Sequence, residues 1–167
     1  MRRAPELAIL PSGAPLGAEV VGVDLTEDLD ESTFHAIEAA YNTHTVVVIR
    51  HQPLTPEALL HFARRLGALE ISPRTQFALP GYPEILLLSN IVDAQGQPMG
   101  NADAGLTWHT DLSYTATPPR GSLLYAVEVP TNAQGETAGE TWFVSTAAAY
   151  DALPSAMQQR LYGLRAI

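Results

Sequence analysis

Two stretches with helical periodicity sit in the front half of this chain, and short β-patterned runs surround and follow them. That order constrains the fold more than any other feature. Asp30-Glu31-Ser32 predicts a helix start, with the helix running to about Asn42 and Phe34, Ile37, Ala40 and Tyr41 on one face. Thr55-Pro56-Glu57 predicts a second start, with Thr as N-cap and Pro at the first helical position. Leu59, Leu60, Phe62, Ala63 and Leu66 form its apolar face, and Gly67 is a natural stop. Glu19–Asp24, the β-branched run Val46–Ile49, Ile85–Leu88, Gly121–Val129 and Thr141–Ser145 read as strands, with a shorter one at Leu7–Leu10. Pro154 separates two helical turns, Ala147–Leu153 and Ser155–Tyr162. Helices near the front followed by several strands predict an α+β fold whose sheet carries any site. Residues 1–167 are long enough for one domain with a real core, and no internal repeat or shift in composition divides them.

Charge and residue usage remove several function classes. The net charge is −9, and the nine basic residues are all arginine, scattered along the chain without a basic stripe, so nucleic acid is not an expected partner. With no cysteine, disulfides and thiolate metal sites are excluded, and any metal must be held by imidazole and carboxylate. Pro5 and Pro11 interrupt the N-terminal stretch before it can make a signal peptide, and no run reaches membrane-spanning length. The expectation is a cytoplasmic protein without a membrane partner.

The stretch Thr107-Trp108-His109-Thr110-Asp111 concentrates the chemistry. On a strand, side chains alternate between faces, so His109 and Asp111 would point one way and Trp108 and Thr110 the other. An imidazole beside a carboxylate supplies two of the three ligands in the 2-His-1-carboxylate facial triad of non-haem Fe(II). A His-x-Asp pair is common, so by itself the motif is weak. Residues 93–107 form a long loop containing Gly and Asp that leads into it, and loops of that length are usually functional or mobile. Residues 71–83 also read as loop, and 130–140 as a turn region.

Beyond the pair, Thr117-Pro118-Pro119, Glu128-Val129-Pro130, Gly139-Glu140-Thr141 and Ala148-Ala149-Tyr150-Asp151-Ala152-Leu153 follow in order. In front come Gly17-Ala18-Glu19-Val20, Gly22-Val23-Asp24-Leu25, Val46–Arg50, Phe62-Ala63 and Leu66-Gly67. In this combination the sequence, over roughly residues 15–167, resembles the taurine dioxygenase (TauD/TfdA) family of Fe(II)/2-oxoglutarate-dependent dioxygenases. The resemblance implies a double-stranded β-helix (jelly-roll) with flanking helices. It also implies Fe(II) and 2-oxoglutarate as cofactor and cosubstrate, O2 and a small molecule as partners, and oxidation of a substrate C–H bond. His109 and Asp111 match the family's metal ligands, and Thr141 matches a threonine whose hydroxyl binds the distal carboxylate of 2-oxoglutarate. Without the family, Thr141 would read as a β-branched strand residue.

Two departures qualify the resemblance. The histidine and tyrosine that contact substrate in taurine enzymes are matched here by Ser72 and Thr75, so taurine itself is a poor fit. Ser72, Thr75 and Tyr114 are candidates for the substrate side, each equally readable as structural. The family also needs a distal histidine ligand and a 2-oxoglutarate-binding arginine, and the sequence given runs only to Leu164-Arg165-Ala166-Ile167. His35, His44, His51 and His61 lack the context of the third ligand, as Arg120 and Arg165 lack that of the arginine, so both roles stay unassigned. The expectation is an N-terminal portion of such an enzyme, with the jelly-roll incomplete at its C-terminus. The substrate expected is a sulfonate, sulfate ester or aryloxyacetate, and residues 1–167 alone are expected to be inactive. The rival readings are a non-catalytic fragment and a 2-oxoglutarate- or sugar-binding jelly-roll without redox chemistry. Open strand edges would favour pairing with another chain, and a homo-oligomer is compatible with that.

Overall fold

The computed structural model describes residues 6–165; Arg2, Arg3 and Pro5 at one end and Ala166 and Ile167 at the other lie outside them. The chain divides into two compact units, one built from residues 6–24, 28–52 and 124–165, the other from 25–27 and 53–123.

In the first unit, β1 (Ala8–Pro11) and β2 (Ala18–Val21) pair antiparallel, and β2 pairs parallel with β3 (Val47–Val48). Parallel neighbours need a crossover, and α1 (Glu31–His44) lies between β2 and β3 in the chain. Asp30 caps this helix: its carboxylate accepts from the Ser32 hydroxyl at 2.6 Å and the Thr33 amide at 2.8 Å. Thr45, in the left-handed region at φ 66°, closes the other end by donating its N–H to the Tyr41 carbonyl. The apolar face is the expected one. Phe34, Ile37 and Ala40 are buried, as are Ala18 and Val20 of β2, while Tyr41 is only half-buried. The run Val46–Ile49 differs from expectation, since only two residues form ladder and Val48 is 40% exposed. β3 pairs with β2 alone and is an edge strand, which leaves it open on one side.

Further along this unit, the strand patterns at 124–129 and 141–145 carry no ladder. Val127 is 86% and Trp142 75% exposed. Gly121–Val129 and Thr141–Ser145 are therefore not strands among the described residues. The β-propensity is present, but a strand forms only where another backbone offers N–H and C=O groups in register. The local pairing here is a tight turn bridging Thr131 and Thr137, in which the Asn132 side chain accepts from the amides of Gln134 and Glu136. Two short helices follow, α3 (Thr146–Asp151), capped by the Ser145 hydroxyl, and α4 (Ser155–Leu161), with Pro154 between them as expected.

The second unit is organised on α2 (Pro56–Leu66), whose N-cap Thr55 accepts from the Ala58 amide. Leu60, Phe62 and Ala63 are buried. Arg64 pairs with Glu84 at 3.3 Å, and Tyr82 donates its hydroxyl to Glu57, so α2 is fastened to the strand β5 (Tyr82–Leu86) at both ends. That strand begins inside the stretch 71–83 expected to be loop. A short 3-10 turn (Thr75–Phe77) leads into β4 (Ala78–Leu79), and Pro80-Gly81 closes a hairpin onto β5. Proline sets its own φ and Gly81 takes φ +85°, so this dipeptide is a turn signal that outweighs the surrounding loop-like composition.

The long loop expected from 93 also starts as ordered ribbon. Amide-to-carbonyl bonds run from Asn101 to Leu87 (2.8 Å), Met99 to Ile91 (3.0 Å) and Asp93 to Gln97 (2.9 Å). Gly100 lies so close to Ser89 that a Cβ there would sit 2.8 Å from the Ser89 backbone nitrogen. No helix among the described residues is long and apolar enough to cross a membrane.

The first unit's core depends on Ile37, which is 1% exposed. Ile37→Ala is expected to cost about 2–5 kcal/mol in urea unfolding, against little for Val48→Ala at the edge. The α1 cap adds a pH dependence. The Ser32 hydroxyl, then the Thr33 amide and hydroxyl, hold the Asp30 carboxyl below its ordinary value of 3.8. A depressed pKa contributes stability that is present above the ordinary value and lost as pH falls through the folded one. The urea-stability gap between wild type and Asp30→Ala should therefore narrow across that acidic window.

Candidate metal centre at His109 and Asp111

Trp108, His109 and Thr110 have no ladder partner, and a turn begins at Asp111, with Leu112 in the left-handed region at φ 48°. The Thr115 amide and hydroxyl both donate to the Leu112 carbonyl and close that turn. The expected strand at 107–111 is thus an irregular segment entering a turn, for want of a paired backbone. The convergence that the strand was meant to supply is nevertheless present. His109 Nε2 lies 3.3 Å from Asp111 Oδ1, with the two side chains 51% and 53% exposed.

The other atoms of the pair are also engaged. His109 Nδ1 lies 2.7 Å from the Thr107 carbonyl oxygen, and because a carbonyl can only accept, Nδ1 carries the hydrogen. In the neutral ring this puts the lone pair on Nε2, the atom facing the carboxylate. Two acceptors at that distance repel unless a proton or a metal cation stands between them. The second carboxylate oxygen, Oδ2, accepts from the Ser122 hydroxyl at 2.6 Å. Thr107 and Ser122 thus orient the imidazole and the carboxylate, the outer-shell arrangement typical of metal ligands. Ser122 went unnoticed in the sequence, where nothing in a Gly-Ser step 11 residues downstream signals the contact.

The remaining candidates do not join the pair. Thr141 is exposed and belongs to the first unit. The half-buried Ser72 uses its hydroxyl locally, accepting from the Arg74 amide at 3.2 Å. Thr75 opens the 3-10 turn, and Tyr114 is 82% exposed in the turn after Asp111. Among the described residues of the second unit, none of Ser72, Thr75 and Tyr114 hydrogen-bonds to His109 or Asp111. Nor is there any cluster of three or more His, Cys, Asp or Glu able to hold a metal ion. His35 instead lies between Glu31 (3.7 Å) and Glu38 (3.5 Å) on α1, and Arg120 Nη1 donates to the Leu66 carbonyl at 3.3 Å. The pair offers one imidazole nitrogen and one free carboxylate oxygen, a mixed donor set that suits first-row divalent metals.

Residues 8–167 match the model of the taurine catabolism dioxygenase TauD, TfdA family. Pentalenolactone F synthase of Streptomyces avermitilis is 38% identical over 168 residues, covering 99% of this chain and 53% of that protein. The alpha-ketoglutarate-dependent sulfate ester dioxygenase of Pseudomonas putida is 33% identical over 157 residues, covering 93% of this chain and 47% of that one. Among solved structures, a taurine dioxygenase from Burkholderia xenovorans superposes with a TM-score of 0.66 at 27% identity, over 95% of this chain and 52% of the other. The chain spans about half the length of these relatives.

The hydrogen bond to Thr107 has a direct spectroscopic consequence. In metal-free protein at alkaline pH, 15N-resolved NMR of the His109 ring should show the tautomer protonated on Nδ1. A ring protonated mainly on Nε2 would mean that the Thr107 contact does not set its orientation.

Proposed function

From the premise that this chain belongs to the taurine catabolism dioxygenase TauD, TfdA family, we propose that it supplies the iron-facing part of an Fe(II)- and 2-oxoglutarate-dependent dioxygenase, with His109 and Asp111 as two of three protein ligands. One observation carries the reading: Nε2 of His109 and Oδ1 of Asp111 converge to 3.3 Å while Thr107 and Ser122 occupy the other polar atom of each. Bound there, iron would supply the O2-dependent, 2-oxoglutarate-consuming oxidation of a substrate C–H bond. The chain's own residues present an imidazole, oriented through Nδ1, and a carboxylate. Thr141 is assigned to donate its hydroxyl to the distal carboxylate of 2-oxoglutarate, and Ser72, Thr75 and Tyr114 to the substrate side.

The substrate proposed is a small organic acid or ester of the sulfonate, sulfate ester or aryloxyacetate class. The P. putida relative, a sulfate ester dioxygenase by name, supports this class. The proposed architecture is the jelly-roll, with both compact units within one catalytic domain. The exposed apolar side chains of Val127, Trp142 and Val144 support it, because large apolar side chains of this kind are normally covered.

The polypeptide 1–167 should bind Fe(II) weakly under anaerobic conditions, lose that binding in His109→Ala and Asp111→Ala, and form little succinate from 2-oxoglutarate. The reason is ligand count, two against the triad's three. A neutral hydroxyl such as that of Thr141 adds only about 0.5–1.5 kcal/mol, where a bond to a charged partner adds about 1.5–3. The assay is Fe(II) titration, followed by succinate detection with ascorbate across sulfonates, sulfate esters and aryloxyacetates. Fe(II) binding indifferent to His109→Ala would remove the metal assignment. Robust turnover abolished by the same substitution would show that another residue completes the site, and the expectation of inactivity would fall.

A further inference from the structure

We propose that Ser122 is a positioning residue that makes Asp111 a one-oxygen ligand. This rests on the reading of His109 and Asp111 as a metal pair and goes beyond it. A carboxylate can grip a cation through one oxygen or two, and the difference matters where coordination positions must stay open for other ligands. In this chain the choice is built into the resting geometry. The Ser122 hydroxyl donates to Asp111 Oδ2 at 2.6 Å, within the short range of an O–H bond to a charged acceptor. Oδ1 alone is left facing His109 Nε2. A cation entering between Nε2 and Oδ1 would meet an Oδ2 that already has one of its two lone pairs in the bond from Ser122. Recruiting that oxygen as well would draw its electron density away from the Ser122 hydroxyl, so the bond favours coordination through Oδ1.

The serine is itself held. Two residues before it, Arg120 Nη1 donates to the carbonyl of Leu66, the last residue of α2. The 120–122 segment is thereby tied to the C-terminal end of α2. A cation at a helix C-terminus is also favoured by the partial negative charge of the unpaired carbonyls there. Leu66, Arg120, Ser122 and Asp111 all lie within residues 53–123. Ser122 is exposed and fills no core position, so removing its hydroxyl takes away the hydrogen bond and little packing.

The test is titration of the 1–167 chain with Co(II) alone, followed by visible absorption, for wild type, Ser122→Ala, Ser122→Thr, His109→Ala and Asp111→Ala. The hydroxyl's loss should weaken Co(II) binding about 10-fold, the lower end for outer-shell partners of metal ligands. It should also change the intensity of the Co(II) band as the freed carboxylate takes up two-oxygen coordination. Ser122→Thr, which keeps the hydroxyl, should restore both affinity and band. If His109→Ala and Asp111→Ala abolish binding while Ser122→Ala leaves affinity and spectrum unchanged, the role of Ser122 is refuted and the metal pair stands. If His109→Ala leaves Co(II) binding intact, the pair itself is refuted and the role of Ser122 falls with it.

Discussion

A backbone N–H or C=O group taken out of water needs a partner, and the structure depends on that constraint throughout. Where the chain brings a second backbone alongside, β-patterned sequence becomes sheet: β1 on β2, β2 on β3, β4 on β5. The buried residues Ala18, Val20, Phe34, Ile37 and Ala40 belong to one such sheet and the helix that crosses over it. Where no second backbone is at hand, an equally good β pattern stays unpaired. Leu124, Val127, Val129 and Trp142 then keep more than half of their surface in water. Side-chain propensity selects among conformations that pairing has already made affordable, and it does not replace the pairing.

The same logic explains how His109 and Asp111 can be ordered on a segment that is not a strand. His109 is oriented by a carbonyl two residues away and Asp111 by a hydroxyl from Ser122, so the convergence of Nε2 and Oδ1 rests on two hydrogen bonds. Neither needs a ladder. Contacts of this sort are short-range and directional, and each satisfies a polar atom that would otherwise compete for the cation.

The turns show how small sequence differences are read physically. Asp93 and Asn132 each sit at the head of a Gly-containing turn and accept from amides two and four residues on. The two turns share the Ala-Gln-Gly tripeptide after the acceptor, a short recurrence too local to count as a repeat of domains. In both, the side-chain oxygen substitutes for a backbone partner, which is why Asx residues start turns.

What the sequence by itself determined is everything governed by neighbours along the chain. Asp30 and Thr55 cap their helices, Pro56 sits at the first turn, Gly67 ends the second helix and Pro154 divides the last two. The buried face Phe34, Ile37 and Ala40 was legible for the same reason, since a period of 3.6 is a property of consecutive residues. The Pro80-Gly81 hairpin belonged to this class too, although the loop-like composition around it masked the signal. Tertiary structure alone decided the rest: which β-patterned runs found a partner, how far β3 extended, and that a serine 11 residues away would take Oδ2 of Asp111. Those outcomes depend on which distant backbone or hydroxyl arrives beside a given residue, and propensity, spacing and charge along the chain carry no information about that encounter.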